Sequence, residues 1–195
     1  KNRIPYNPSL IEPKWQKKWK DSKIYNVDLD SKDKKNYFSL TMFPYPSGDL
    51  HIGHWYAFTP ADSYSRFKKM KGFNVLHTQG FDAFGLPAEN AAISRNINPM
   101  KWTFDNIDNM RGQFNLMGNS YDWSRELITC TPEYYKWNQF FFLKMYEKGI
   151  AYRKNGAVWW DPIDQTTLAN EQVVEGKSER SGADVVRKMM PQWYF

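Results

Sequence analysis

The first clear pattern along the chain is Tyr37 to Phe43, Tyr-Phe-Ser-Leu-Thr-Met-Phe, an aromatic and β-favouring run that predicts a strand. Pro44, Pro46, Ser47 and Gly48 then break it and demand a turn. From His54 to Met70, Trp55, Phe58, Ala61, Tyr64, Ser65, Phe67 and Lys68 recur near helical spacing, which predicts a helix with a place for a kink at Pro60. A short apolar strand follows over Gly72 to Thr78, and helices are expected near Ala88 to Arg95, Met100 to Met117 and Pro132 to Lys148. Gly149 closes the last of these, with Lys148 in its final turn. Trp15 and Trp19, set among lysines, read as a short amphipathic helix docking on the body. The polar stretch Asp28 to Asn36 reads as a connecting loop.

Strand, helix, strand, helix is an α/β pattern. Two strands joined by a crossover helix make the first half of a Rossmann-like parallel sheet, whose ligands sit beyond the C-terminal ends of the strands. From Tyr152 the character changes: Val158-Trp159-Trp160 is strand-like, and Glu171 to Pro191 alternates short β segments with turns at Glu175-Gly176-Lys177 and Arg180-Ser181-Gly182. Three parts are therefore expected: an N-terminal helix and linker over 1–35, the first half of a Rossmann-like domain over 36–151, and a β-hairpin appendage over 152–195.

Composition narrows the partners more than the fold. With 195 residues, 41% of them hydrophobic, the chain can bury a real core and is not a disordered segment. A formal net charge of +6 suits a nucleic-acid partner, although the basic residues are scattered rather than striped and solvated lysines account for them equally. Cys130 is the single cysteine, which excludes an internal disulfide framework, and no apolar run is long enough to span a membrane. A reducing compartment follows, the cytoplasm by default, with an organelle left open.

The richest chemistry lies in Met42-Phe43-Pro44-Tyr45-Pro46-Ser47-Gly48-Asp49-Leu50-His51-Ile52-Gly53-His54. It sets two histidines three apart across a glycine, where the first strand gives way to a helix. Free backbone N–H groups and the positive end of the helix favour an anion at such a corner, and Gly53 lets a ligand approach the backbone closely. His51 and His54 can each donate an N–H to phosphate oxygens without acting as a base. By spacing alone they could equally cap the helix or form half of a zinc site. A second segment, Gly80-Phe81-Asp82-Ala83-Phe84-Gly85-Leu86-Pro87-Ala88-Glu89-Asn90, leads from the second strand into a helix. Asp82 there could hold an ammonium group by a charge-assisted hydrogen bond or serve as an ordinary turn acid. Glu89, in the first helical turn after Pro87, fits the macrodipole.

The histidine string resembles the His-Ile-Gly-His signature of class I aminoacyl-tRNA synthetases, and the lead-in Pro44-Tyr45-Pro46-Ser47-Gly48 resembles the leucyl subgroup rather than the valyl or isoleucyl one. The Asp82 segment, Tyr121-Asp122-Trp123-Ser124-Arg125-Glu126, Thr131-Pro132-Glu133-Tyr134-Tyr135 and Asp164 to Val173 extend the likeness over nearly the whole chain, with only the first thirty or so residues loosely matched. The resemblance implies an aminoacyl-tRNA ligase that activates leucine with ATP and Mg²⁺ and passes it to tRNA(Leu). It assigns His51 and His54 to the ATP phosphates and Gly53 to nucleotide approach. Asp82 and the carbonyl of Phe43 would hold the leucine ammonium, with Met42, Phe43 and Tyr45 walling its side chain.

Two departures qualify the likeness. Where bacterial relatives carry a cysteine-bearing zinc knuckle, Trp160, Lys177, Ser178 and Ser181 stand here, so a metal-free, zinc-ribbon-like hairpin is expected, packed by Val173, Val174, Val185, Val186, Trp159 and Trp160. Cys130 and His77 would be the spare ligands. No Lys-Met-Ser-Lys-Ser-like loop occurs, since Lys68-Lys69-Met70-Lys71 reads as a basic helix end. An N-terminal portion of a monomeric synthetase is expected, inactive without the remainder of the synthetase chain. Another nucleotidyltransferase, a non-catalytic RNA-binding module and a structural synthetase-derived module are the alternatives.

Overall fold

The computed structural model describes residues 5–195. Its contacts divide the chain into two compact units, residues 1–135 and 136–195.

In the first unit the order is helix α1 (Pro8–Asp21), strand β1 (Asn36–Ser39), helix α2 (Ile52–Met70), strands β2 (Asn74–His77) and β3 (Gly80–Phe81), helices α3 (Leu86–Ser94) and α4 (Pro99–Met117) and strand β4 (Leu127–Ile128). β1 and β2 run parallel from Asn36↔Asn74 to Ser39↔His77, with α2 as the crossover. β3 and β4 form a second parallel pair, Gly80↔Leu127 and Phe81↔Ile128. The first strand is shorter than Tyr37 to Phe43, because the ladder ends at Ser39. The residues after it run on outside the sheet, which leaves the Pro-rich segment free to meet β3 instead.

α2 continues through Pro60. α4 begins where the Asn98 side chain accepts from the amides of Met100 and Lys101 at 2.9 and 3.4 Å, and ends at Gly118, whose φ of +71° suits a residue without Cβ. Between them lies the core. Phe58 of α2, Phe81 of β3 and Ile107, Met110 and Phe114 of α4 are buried together with Ala83 and Tyr121. Ile107, Met110 and Phe114 recur at i, i+3 and i+7, so one stripe of α4 faces this core, with Phe114 against Phe81 of β3.

A buried polar network ties the elements. Asp62 accepts from Arg66 Nε at 2.8 Å and from Ser120 Oγ at 2.6 Å, and Ser120 Oγ lies 3.4 Å from His77 Nδ1. Burial pushes the His77 imidazole down to about 4, against the opposing pull of Asp62. Arg66 also donates to the Tyr25 hydroxyl at 2.7 Å and lies 5.2 Å from the rings of Trp19 and Tyr25. That is how the amphipathic α1, with Trp19 inward, joins the body. At the end of α2, Lys68 rests on the rings of Tyr37, Tyr64 and Phe73 and Lys69 donates to the carbonyl of Ile24, so both lysines serve packing.

The second unit holds most of helix α5 (Pro132–Glu147), then strands β5 (Tyr152–Asp161), β6 (Thr166–Leu168), β7 (Val173–Val174), β8 (Lys177–Ser178) and β9 (Val186–Tyr194). β5 pairs antiparallel with both β6 and β9. β7 and β8 are joined by Glu175 and Gly176 at φ of +51° and +77°, a two-residue turn whose twist matches the strands. Phe142 and Tyr146, one turn apart on α5, meet Trp193 edge-on at 4.9 and 5.8 Å. Of the residues expected to pack the hairpin, Val173, Val185, Trp159 and Trp160 are partly buried, whereas Val174 and Val186 are about half exposed, at 55% and 49%. Asp161, fully buried, accepts from Ser181 Oγ at 2.6 Å and from the amides of Ile163 and Asp164 at 2.9 and 3.1 Å. Burial works to raise its carboxyl, but hydrogen bonds, including one from Ser178, overcome this and hold it at about 2. Asp161, rather than its neighbour Trp160, faces Ser181.

Candidate active site

His51 is the N-cap residue of α2, in extended backbone, and its Nδ1 accepts the amide of Gly53 at 3.1 Å. Three residues on, His54 Nδ1 accepts the amide of His51 at 3.1 Å. The two rings lie 4.1 Å apart, and that of His54 stacks on Phe58 at 6.0 Å. This reciprocal cap fixes the tautomers. A ring nitrogen that accepts an N–H carries no proton, so in the neutral form each histidine holds its proton on Nε2. Burial, helped by the neighbouring His51, lowers the pKa of His54 and favours that neutral state. The pair therefore caps the helix and still presents two Nε2–H donors, so capping and anion binding are compatible uses.

Gly53 has a further reason to be glycine. A Cβ there would stand 2.8 Å from His51 Cε1 and 3.0 Å from its Nδ1. The bare backbone makes room for the folded-back ring.

The approach to this corner is pinned from α4. Gln113 Oε1 accepts the amide of Leu50 at 2.7 Å, while Gln113 Nε2 and Asn109 Nδ2 donate to Asp49 at 2.8 and 2.7 Å. These bonds, Asn109 first, also lower the Asp49 carboxyl below its usual range. Asn109 and Gln113 carry no motif; only their i, i+4 spacing on one helix marks them as a pair facing the same way.

Asp82 follows β3 and precedes α3. Its amide donates to the carbonyl of Pro44 at 3.0 Å, which brings the second segment against the Pro-rich lead-in. Thr129, after β4, donates its hydroxyl towards Asp82 Oδ1 at 3.4 Å and accepts the amide of Ala83 at 2.8 Å. Gly80 admits this packing, because a Cβ would stand 3.0 Å from Phe43 Cε2 and collide with the carbonyl of Leu127. Phe43 and Pro44 are thus joined to Gly80 and Asp82, whereas Met42 and Tyr45 are largely exposed, at 67% and 64%. Among the described residues, no hydrogen bond joins the histidine pair to Asp82. They come from two loops after parallel strands, as nucleotide sites on such sheets do. Thr129 had no sequence signal beyond its place before Cys130.

Residues 14–195 match the family model of the class I tRNA synthetases (I, L, M and V). A leucine–tRNA ligase of Thermosipho melanesiensis is 59% identical over 190 residues, covering 97% of this chain and 23% of the relative, and that of Deinococcus radiodurans is 56% identical with the same coverage. The chain thus spans about a quarter of the length of these relatives. Among solved structures, an Agrobacterium radiobacter LeuRS in ternary complex with tRNA and LeuAMS superposes with a TM-score of 0.89 at 44% identity, over 97% of this chain and 24% of that one. The methionyl-tRNA synthetase of Mycobacterium tuberculosis with methionyl-adenylate, at 22% identity, has a TM-score of 0.66 over 82% of this chain and 32% of its own, a likeness of fold. The lead-in, the histidine corner and the parallel strand pairs are thus parts of one known catalytic fold, and the chain belongs to the class I tRNA synthetases (I, L, M and V).

Proposed function

We propose that this chain supplies the ATP and leucine ends of a leucine-activating site, in an enzyme that joins leucine to tRNA(Leu). The leucine carboxylate attacks the α-phosphorus of ATP and pyrophosphate leaves; a hydroxyl of the terminal ribose of the tRNA then attacks the leucyl carbonyl, forming the ester as AMP leaves. The nucleophile is already ionised at neutral pH, so no general base is needed. The site's work is in-line positioning and charge stabilisation. His51 and His54 donate their Nε2–H groups to the phosphates, and Gly53 keeps both the ring and the nucleotide close to the helix end. Mg²⁺ arrives with ATP as part of the substrate. Asp82 and the Phe43 carbonyl hold the leucine ammonium, while Met42, Phe43 and Tyr45 wall its side chain.

The observation that carries this reading is the reciprocal cap of His51 and His54, which occupies both Nδ1 atoms and leaves both Nε2 positions to face a ligand at the positive end of α2. The leucine choice is supported by ligase relatives at 55–59% identity. In the 152–195 appendage the donors gathered at Asp161 are carboxylate, hydroxyl and amide groups. Structural zinc takes thiolate and imidazole ligands, so these residues do not fit it, and we assign the hairpin a metal-free, hydrogen-bonded knot. We further place the enzyme in the cytoplasm as a monomer; no helix among the described residues is long and apolar enough to cross a membrane. Substituting His54→Ala in the enzyme tests the assignment: leucine-dependent ATP–pyrophosphate exchange should fall about a hundredfold or more, the scale of losing a transition-state donor, with tRNA affinity kept. An unchanged exchange rate would remove the phosphate role.

A further inference from the structure

The segment that leads into the histidine corner has few ties to the rest of the molecule. Among the described residues, hydrogen bonds join residues 44–50 to other elements at two places. The Asp82 amide donates to the Pro44 carbonyl at 3.0 Å, and α4 holds Asp49 and Leu50. Between these anchors Tyr45 and Ser47 are exposed, and a Cβ on Gly48 would meet nothing within 4 Å. The second anchor lies directly before His51, so it sets where the corner stands.

Gln113 makes two of the bonds at that anchor and uses both ends of its carboxamide. Oε1 accepts the Leu50 amide at 2.7 Å, and Nε2 donates to Asp49 Oδ1 at 2.8 Å. A glutamate would offer Asp49 no donor, and a lysine would offer the Leu50 amide no acceptor. The next residue, Phe114, is buried in the core and meets the Phe58 ring edge-on at 5.4 Å, and Phe58 in turn stacks with the His54 ring at 6.0 Å. Adjacent residues of α4 therefore support the two histidines by separate routes, Gln113 through Leu50 to His51 and Phe114 through Phe58 to His54.

We propose that Gln113 is a positioning residue for leucine activation, holding the Leu50–His51 peptide so that both Nε2 positions face the phosphates together. This rests on the phosphate role of His51 and His54. Gln113 itself acts through the pair and not on the reactants. The reciprocal cap couples the two rings, because the His51 amide must stay within reach of His54 Nδ1, 3.1 Å away, so a shift of Leu50 disturbs both. A misplacement of about 1 Å can cost about a hundredfold in rate. The loss falls on kcat, since the donors act on charge that develops in the transition state. The leucine end is anchored separately, through Asp82 and Pro44.

The test is leucine-dependent ATP–pyrophosphate exchange by the enzyme that carries this chain, with Gln113→Leu, His54→Ala and the double variant beside the parent. Gln113→Leu, close to the parent in volume, should lower kcat about tenfold to a hundredfold and change the KM for leucine by less than about twofold. In the His54→Ala background the same substitution should cost no more than about twofold, because both residues act through one pair. A loss of folded enzyme would instead add in full to the loss from His54→Ala. Gln113→Glu, which faces Asp49 with a second carboxylate, should also lower kcat, and adding Asp49→Asn should restore most of it by returning a donor to the contact. Full kcat in Gln113→Leu beside a crippled His54→Ala overturns the positioning role and leaves the phosphate role standing. Additive losses in the double variant, or no restoration by Asp49→Asn, also overturn it. An unchanged rate in His54→Ala removes the phosphate reading itself, and with it the route through which Gln113 acts.

Discussion

At the residue scale, the capping geometry of His51 and His54 turns a spacing into a chemical state. Two histidines near a helix start are ambiguous as letters, because capping, metal binding and phosphate binding all use imidazole. The bonds from the amides of Gly53 and His51 to the two Nδ1 atoms resolve the tautomer, which no sequence pattern states. Gly53→Ala separates propensity from function. Alanine in a helix is more favourable than glycine by up to about 1 kcal/mol, which roughly offsets the cap lost when His51 is displaced, so the unfolding midpoint should change little. Its Cβ would nevertheless meet His51 at 2.8 Å and displace the ring, so ATP affinity, measured by calorimetry, should drop at least tenfold. Unchanged ATP binding would show that the ring position is immaterial.

His77 gives a second residue-level expectation. Its pKa falls from 6.5 to about 4 in the folded chain, so between those pH values the unfolded state binds more protons and stability is lost as pH falls. The contribution is fully present above pH 6.5 and amounts to about 3 kcal/mol, at 1.36 kcal/mol for each pH unit. Denaturant unfolding across that window should show the loss, and His77→Gln should flatten the curve. A parent profile flat from pH 6.5 to pH 4 would contradict the burial account.

At the element scale, what could be read from the sequence was what carries a period or a breaker. α2, α4 and α5 show helical recurrence, and Glu175-Gly176 marks the β7–β8 turn. β3 and β4, two residues each, are too short to show alternation and exist only because the chain folds them side by side. The knot at Asp161 carries neither a period nor a breaker. A carboxylate at the end of a strand looks like a solvated turn acid, and it is the neighbouring Trp160 that stands at a zinc-ligand place of the resemblance. Asp161→Ala would leave Ser181 Oγ and the amides of Ile163 and Asp164 without their acceptor. Losing such charge-assisted bonds costs about 2–3 kcal/mol, which should appear as a lowered unfolding midpoint. Because its folded pKa, about 2, lies below the ordinary 3.8, this stabilisation is present above pH 3.8 and lost as pH falls through 2. An Asp161→Ala chain as stable as the parent would dismiss the knot as incidental.

At the scale of the whole molecule, the chain spans about a quarter of its ligase relatives, at 23% of their length, and carries His51, His54 and Asp82 but no Lys-Met-Ser-Lys-Ser-like loop. Lys68 and Lys69 are occupied by rings and by a backbone carbonyl at the end of α2, so neither stands in for that loop. The purified 195-residue chain should accordingly show little or no leucine-dependent exchange, and robust exchange would overturn that expectation. The measurement that bears most directly on the central claim is ATP–pyrophosphate exchange by the enzyme that carries this chain, across the aliphatic amino acids and with His54→Ala beside the parent. The account predicts a clear preference for leucine and a loss of about a hundredfold or more in the variant. A preference for valine or isoleucine, or an unchanged rate in His54→Ala, would contradict it.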